Sequence, residues 1–295
     1  MAPLTKILEE NRGWNQDFLS LLGKRWDLKN KVKILEIGCG EGYWFLEYEP
    51  ELSIQADITL LDISFDHISS AKKLLSKLCL KEMKFMVGDT YRLPFLSESF
   101  DFITCQRVLM HLESPLAVLK EMKRVLQISG VLAVIEPCSI YKSISHTYRQ
   151  ELSNRKEQTN LVDFHSVSER GKIKLNQGDN SIGETVPALF KRLDFMNIKT
   201  CLNDCVVQVL PGETVEKHSF FVKQIQNWLS QRFYSIWDKN EAKNYFYAGG
   251  GSTAEFKVLE NLIHKLNQNI FSKIKANQGH IILNDLLYIT WATKQ

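Results

Sequence analysis

Residues Ile34-Leu35-Glu36-Ile37-Gly38-Cys39-Gly40-Glu41-Gly42-Tyr43-Trp44 read as a buried strand that breaks into a glycine turn and then a helix. The strand is apolar on both faces and ends at Glu36-Ile37. Glycines at 38, 40 and 42 let the backbone turn tightly and approach a ligand with no Cβ in the way. A dinucleotide fingerprint would place its third glycine where this chain has Tyr43, so the pattern is Glu-x-Gly-x-Gly-x-Gly and not Gly-x-Gly-x-x-Gly. Such a turn has no pyrophosphate to hold, and with a carboxylate before it suits a cofactor carrying an amino group and a ribose.

Around this turn the pattern alternates. Short apolar runs predict strands near 33–37, 58–62, 83–87, 100–105 and 130–136, with helices near 42–48, 64–79 and 115–127. Ser114, Pro115 and Gly130 suit the cap, the first turn and the stop of the helix at 115. A further helix is expected over 183–194, then an apolar strand over 198–210 stopped by Pro211-Gly212. The last fifteen residues, with Leu286 to Trp291, return to strand character and are expected to pair with 198–210. Between them the alternation gives way to helical spacing. Phe256, Leu259, Ile263, Leu266 and Ile270 recur at three and four, and Ser252 with Glu255 makes a capping box. The expected organisation is an N-terminal helical segment over 1–30, an α/β domain over 31–211 and 280–295, and a helical lid inserted over 212–279.

The chain has 295 residues, enough for a sizeable core, and its 37 Lys and Arg against 34 Asp and Glu leave a net charge of +3. That balance does not favour a nucleic-acid partner. Six irregularly placed cysteines read as reduced thiols, and neither a signal-peptide core nor a run of eighteen apolar residues is present, so the expectation is a cytoplasmic protein away from the membrane. Oligomeric state is not legible.

An acid about twenty residues past the glycine turn can accept both ribose hydroxyls, and Asp62 in Leu60-Leu61-Asp62-Ile63-Ser64 stands there. A helix-capping role is the plainer alternative for an acid at a strand end. A second acid, in Val87-Gly88-Asp89-Thr90, is placed to accept an exocyclic amine, or simply to shape a turn. Then Phe102-Ile103-Thr104-Cys105-Gln106-Arg107-Val108-Leu109-Met110-His111 runs from a strand into a polar turn. In this order the four elements resemble the motifs of class I S-adenosylmethionine (SAM) dependent methyltransferases, and the stretch to Gly130 resembles the small-molecule group called type 11. The resemblance covers roughly residues 31–136. It implies a Rossmann-like, seven-stranded, mostly parallel sheet with helices on both faces, SAM as cofactor and S-adenosylhomocysteine (SAH) as product. It also implies cofactor contacts from Glu36, Gly38, Cys39, Gly40, Gly42, Asp62, Ile63, Asp89, Thr90, Gln106 and His111.

Transfer of a methyl group from a sulfonium is an in-line displacement, so alignment and desolvation supply most of the acceleration. His111 is the candidate base if the acceptor carries a proton, with a structural or cofactor-only role as the alternative. Arg107 is a candidate for holding an acidic substrate, or for pairing with Glu113 or Glu136. Cys105 sits where cytosine C5 methyltransferases carry a nucleophile, though a small buried residue fits the position better. No metal is expected: Glu136-Pro137-Cys138 stands where divalent-metal O-methyltransferases carry an Asp-Asn pair, and Cys201 with Cys205 lacks nearby histidines.

Substrate recognition is expected outside the sheet. One segment, 138–180, offers Tyr141 and His146. The other, the helical insertion, crowds Trp228, Tyr234 and Tyr247 among further aromatic residues, suited either to a lid over a planar or apolar small molecule or to a helical core. A small-molecule methyl acceptor is the expected partner, with a protein or RNA substrate, or a noncatalytic SAM-binding scaffold, as alternatives.

Overall fold

The computed structural model describes residues 14–76, 78, 83–139, 151–204, 207–209, 233, 237–276, 278, 281–283 and 286–295. Two compact units divide the chain. The sheet unit comprises Trp14–Cys138, Ser181–Asp204 and Leu286–Gln295, and the helical unit contains the described residues of 139–180 and 205–285. The helical unit therefore draws on two stretches of chain where the sequence suggested one inserted segment.

The strands are β1 Lys33–Ile37, β2 Asp57–Asp62, β3 Met83–Val87, β4 Phe100–Gln106, β5 Leu126–Pro137, β6 Phe195–Leu202, β7 Val207–Val209, β8 Ile281–Leu283 and β9 Leu287–Lys294. The helices are α1 Gln16–Trp26, α2 Tyr43–Tyr48, α3 Phe65–Leu75, α4 Pro115–Val125, α5 Arg155–Lys174, α6 Val186–Arg192, α7 Lys239–Ala248 and α8 Thr253–Lys275.

Seven strands form one sheet in the order β3-β2-β1-β4-β5-β9-β6. The β1–β2, β1–β4, β2–β3 and β4–β5 pairs are parallel, and β9 runs antiparallel to both β5 and β6. This is the expected α/β sheet with helices. Its strand order reverses between β1 and β4, the place where open α/β sheets bind ligands beyond the carboxyl ends of their strands. Ile34, Leu35 and Ile37 of β1 are buried, as a strand covered on both faces requires. On one face Val118, Leu119 and Met122 of α4 and Phe190 of α6 pack into the core, with the Phe190 ring 4.8 Å from Phe195.

Three expectations need correction. Residues 198–210 do not make one strand: β6 starts at Phe195 and ends at Leu202, and β7 pairs with β8 in a separate two-stranded sheet. Gly130 does not stop α4, because β5 begins at Leu126, directly after the helix. Leu126 pairs with Phe100 and Val131 with Phe102, so residues 127–130 form a bulge, with Ser129 in the left-handed region. Ser114 precedes α4 but makes no side-chain cap, leaving the start to Pro115.

In the helical unit, α5 and α7 approach so closely that a Cβ on Gly171 would run into the Tyr245 carbonyl oxygen, and one on Gly249 into that of Val167. Gly250 adopts φ 106°, Gly251 lies under the Phe246 ring, and Ser252 and Glu255 form the predicted capping box of α8. The Gly249-Gly250-Gly251-Ser252 run is thereby explained by backbone packing. Phe256, Leu259, Ile263, Leu266 and Ile270 are all buried with Phe164, Trp237 and Phe246. No described helix is long and apolar enough to cross a membrane.

Candidate functional site

The glycine turn leaves β1 at the point where the strand order reverses. Gly38, Gly40 and Gly42 all have positive φ, at 65°, 52° and 90°. Their surroundings differ. A Cβ on Gly38 would overlap a Val108 methyl, and one on Gly42 would lie 2.9 Å from Leu75 Cδ1, whereas one on Gly40 would meet nothing within 4 Å. Two of the glycines serve packing. Around Gly40 the backbone faces open space, as a turn that receives a ligand requires.

Asp62 closes this side of the turn. Its Oδ2 accepts the Gly40 N–H at 2.8 Å, and its Oδ1 accepts the Ser64 N–H at 2.9 Å and lies 3.3 Å from His67 Nδ1. Ser64 in turn caps α3 by accepting the His67 N–H. Asp62 thus shapes the start of α3 and also ties β2 to the glycine turn. Ile63 beside it is 71% exposed, an apolar surface at the sheet edge.

The end of β3 is bound to that of β2 through the Gly88 N–H, which donates to the Asp62 carbonyl at 2.9 Å. Asp89 is exposed and its Oδ1 accepts the Tyr91 N–H at 2.9 Å, while Thr90 is buried. The following loop is anchored to α4. Arg124 donates to the carbonyls of Phe95 and Leu93, and the Glu121 carboxylate accepts the Leu93 N–H.

Beneath the turn, Glu36 is sealed from solvent and its Oε2 accepts the Tyr48 hydroxyl at 2.9 Å. Burial drives its carboxyl up to about 8, the Tyr48 hydrogen bond opposes that rise, and the Asp62 charge adds to it. Cys39 is also buried, and burial together with the Glu36 and Asp62 charges raises its thiol well above the ordinary range. Trp44 donates its indole N–H to Thr104 Oγ1 at 3.1 Å, joining α2 to β4.

At the end of β4, Gln106 is half-buried and Arg107 is exposed with φ 57°, a left-handed conformation that is costly for a residue with a Cβ. His111 is exposed at the end of a short 3₁₀ turn, Leu109–His111. Cys105 is fully buried, and burial with the Glu136 and Glu36 charges raises its thiol, a setting that suits a small packed residue better than a nucleophile.

One residue organises this loop and was expected only as an ion-pair partner of Arg107. Glu136, fully buried at the end of β5, accepts the Val108 N–H (2.8 Å) and the Leu109 N–H (2.7 Å) at Oε1, and the Met110 N–H (3.2 Å) at Oε2. Burial pushes its carboxyl up to about 7 against the pull of those three N–H groups and the Arg107 charge. An acid directly after the apolar run Val131–Ile135 was the only signal for it.

The carboxyl ends of four neighbouring strands therefore gather Glu36, the glycine turn, Asp62, Ile63, Asp89, Thr90, Gln106, Arg107 and His111 along one edge of the sheet. Tyr247 belongs to the helical unit, where it is half-buried against Phe246 and Phe256. Tyr141, His146, Trp228 and Tyr234 lie outside the described residues.

This sheet order, with its glycine turn and acid at the switch point, is that of class I SAM-dependent methyltransferases, enzymes whose cofactor is SAM. A family model described as a methyltransferase domain matches residues 28–250, and the chain belongs to that family. A demethylmenaquinone methyltransferase of Staphylococcus aureus is 22% identical over 203 residues, covering 65% of this chain and 77% of that protein. One from Bacillus cereus is 27% identical over 43% of this chain, which spans about half (52%) of the relative. Among solved structures, a putative methyltransferase of Bacillus halodurans matches with a TM-score of 0.54 and 14% identity, covering 94% of this chain and 99% of that one, and so shares the fold.

Proposed function

We propose that the methyl acceptor is a small molecule and that SAM binds along the carboxyl edge of β1, β2, β3 and β4. The observation that carries the placement is the Asp62 carboxylate bonded to the N–H of Gly40, the one glycine of the turn with open space around it. In this reading Gly38, Cys39, Gly40 and Gly42 present backbone to the cofactor, with Glu36 beneath them. Asp62 takes the ribose hydroxyls with the lone pairs its backbone contacts leave, and Ile63 lies against the adenine. Asp89 and Thr90 meet the adenine amine, and Gln106 and His111 meet the methionine end. Arg107 orients an acidic acceptor and His111 takes its proton where the acceptor carries one. Alignment of the sulfonium with the acceptor supplies most of the acceleration.

The small-molecule acceptor is supported by the near-neutral charge and by the relatives named for demethylmenaquinone. Acceptor selectivity is assigned to two segments: 138–180, with Tyr141 and His146 as contacts, and 212–279, acting as a lid, with Trp228, Tyr234 and Tyr247 as contacts. A cytoplasmic location accords with this chemistry. Incubating the protein with methyl-labelled SAM and a cell extract separates the readings. Label in the metabolite fraction supports the proposal, and label confined to protein or RNA replaces it with a macromolecular acceptor.

A further inference from the structure

We propose that Glu136 is a positioning residue for methyl transfer: its carboxylate holds the 107–111 loop, and through it the glycine turn, in the shape that binds the methionine end of the cofactor. The inference rests on the placement of SAM given above. Glu136 acts through backbone.

Three successive N–H groups, those of Val108, Leu109 and Met110, converge on one buried carboxylate. They are the groups that a chain leaving β4 and entering a 3₁₀ turn has no strand partner for, and buried N–H groups left unpaired are costly. The two oxygens of one carboxyl group have lone pairs enough to accept all three, two at Oε1 and one at Oε2. The loop it holds is strained, since Arg107 stands at φ 57° and is fixed at its other side by donation of its N–H to the Ile135 carbonyl at 2.9 Å. β5 therefore holds this strained turn at two points, the Ile135 carbonyl on Arg107 and the Glu136 carboxyl on the three residues after it.

The consequence reaches the cofactor turn through Val108. Its side chain occupies the space a Cβ on Gly38 would need, so the position of the Val108 backbone sets how closely β4 and the glycine turn approach. A carboxylate on β5 thereby controls the relative placement of the two turns on either side of the switch point.

The test compares Glu136→Gln, Glu136→Asp and Glu136→Ala with the unaltered chain, using SAH titration calorimetry and amide exchange at residues 108–110, and Asp62→Ala as a reference for the cofactor site. Gln keeps the oxygen that accepts two of the N–H groups, so it holds SAH within a few-fold of the unaltered chain. Asp, one methylene short, and Ala lose protection at the three amides and bind SAH roughly 10- to 100-fold more weakly, the scale of a displaced positioning element. Exchange in β1 and β2 stays unchanged. Should Ala not fold, the Gln and Asp pair carries the comparison. SAH binding equal in Asp and the unaltered chain overturns the inference alone if Asp62→Ala weakens binding, and overturns the site placement with it if Asp62→Ala does not.

Discussion

Two buried carboxylates, one in each unit, show how differently the units handle polar burial. Glu136 at the end of β5 has both oxygens bonded, to three backbone N–H groups. Glu169 on α5 is also buried, and its Oε1 accepts Asn180 Nδ2 at 3.0 Å, but its Oε2 has no hydrogen-bond partner among the described residues, and neither does the neighbouring Ser168 Oγ. Burial pushes both carboxyls up to about 7. The sheet unit uses its buried acid to shape the loop that follows β4. In the helical unit the equivalent cost is only partly offset, by Asn180 and by the charge of Lys172, which itself donates to Asn180.

The largest contrast expected between the units lies in their glycines. Gly171→Ala puts a Cβ into backbone atoms of Tyr245 and Gly249 that have no side chain to swing aside, and should destabilise the helical unit by about 3 kcal/mol or more. Gly40→Ala meets no atom within 4 Å and should cost only the left-handed conformation, about 1–2 kcal/mol. Native-state amide exchange, which reads each unit separately, measures both, and equal effects would erase the distinction.

A smaller effect follows pH. Glu36, Glu136 and Glu169 all have folded-state values raised from 4.5, to about 8, 7 and 7 respectively. In the folded chain each holds its proton at a pH where the unfolded chain has released it. Their contribution to stability is therefore full below about 4.5 and is lost as pH rises through 7 and 8. Urea midpoints taken at pH 5 and pH 9 should show that loss, and Glu169→Gln should flatten it for the helical unit. A midpoint that rises across this window contradicts the assignment.

Ser168→Ala removes a buried hydroxyl with no hydrogen-bond partner among the described residues, so stability should stay level or rise by up to about 1 kcal/mol, and a loss of 2 kcal/mol would mean that the hydroxyl is satisfied after all. The smallest effect belongs to the exposed Lys84–Asp57 pair at 2.9 Å, where Lys84→Ala should shift the urea midpoint by less than about 0.5 kcal/mol in equivalent free energy.

Much of the sheet unit was legible because its signals are local. A short strand apolar on both faces, glycines at fixed offsets and an acid at the next strand end each act within a few residues, and the sheet keeps them where their spacing puts them. What escaped notice depends on partners distant in sequence. Glu136 meets N–H groups 26 to 28 residues away, and backbone groups leave no residue-type signature. Gly130 resembled a helix stop because glycine serves bulges as well as caps. The apolar run at 198–210 looked continuous, yet β6 follows β9 only to Leu202, after which the chain leaves the sheet for the pairing of β7 with β8. Gly171 and Gly249 permit a close helix approach that no single helix pattern encodes.

Titrating SAH into the unaltered protein and into Asp62→Ala tests the placement of the cofactor most directly. Binding to the unaltered chain, weakened roughly 10- to 100-fold in the variant by loss of charged hydrogen bonds, is the predicted result. Equal binding by both proteins, or no binding by either, contradicts the assignment of the sheet's carboxyl edge as the site.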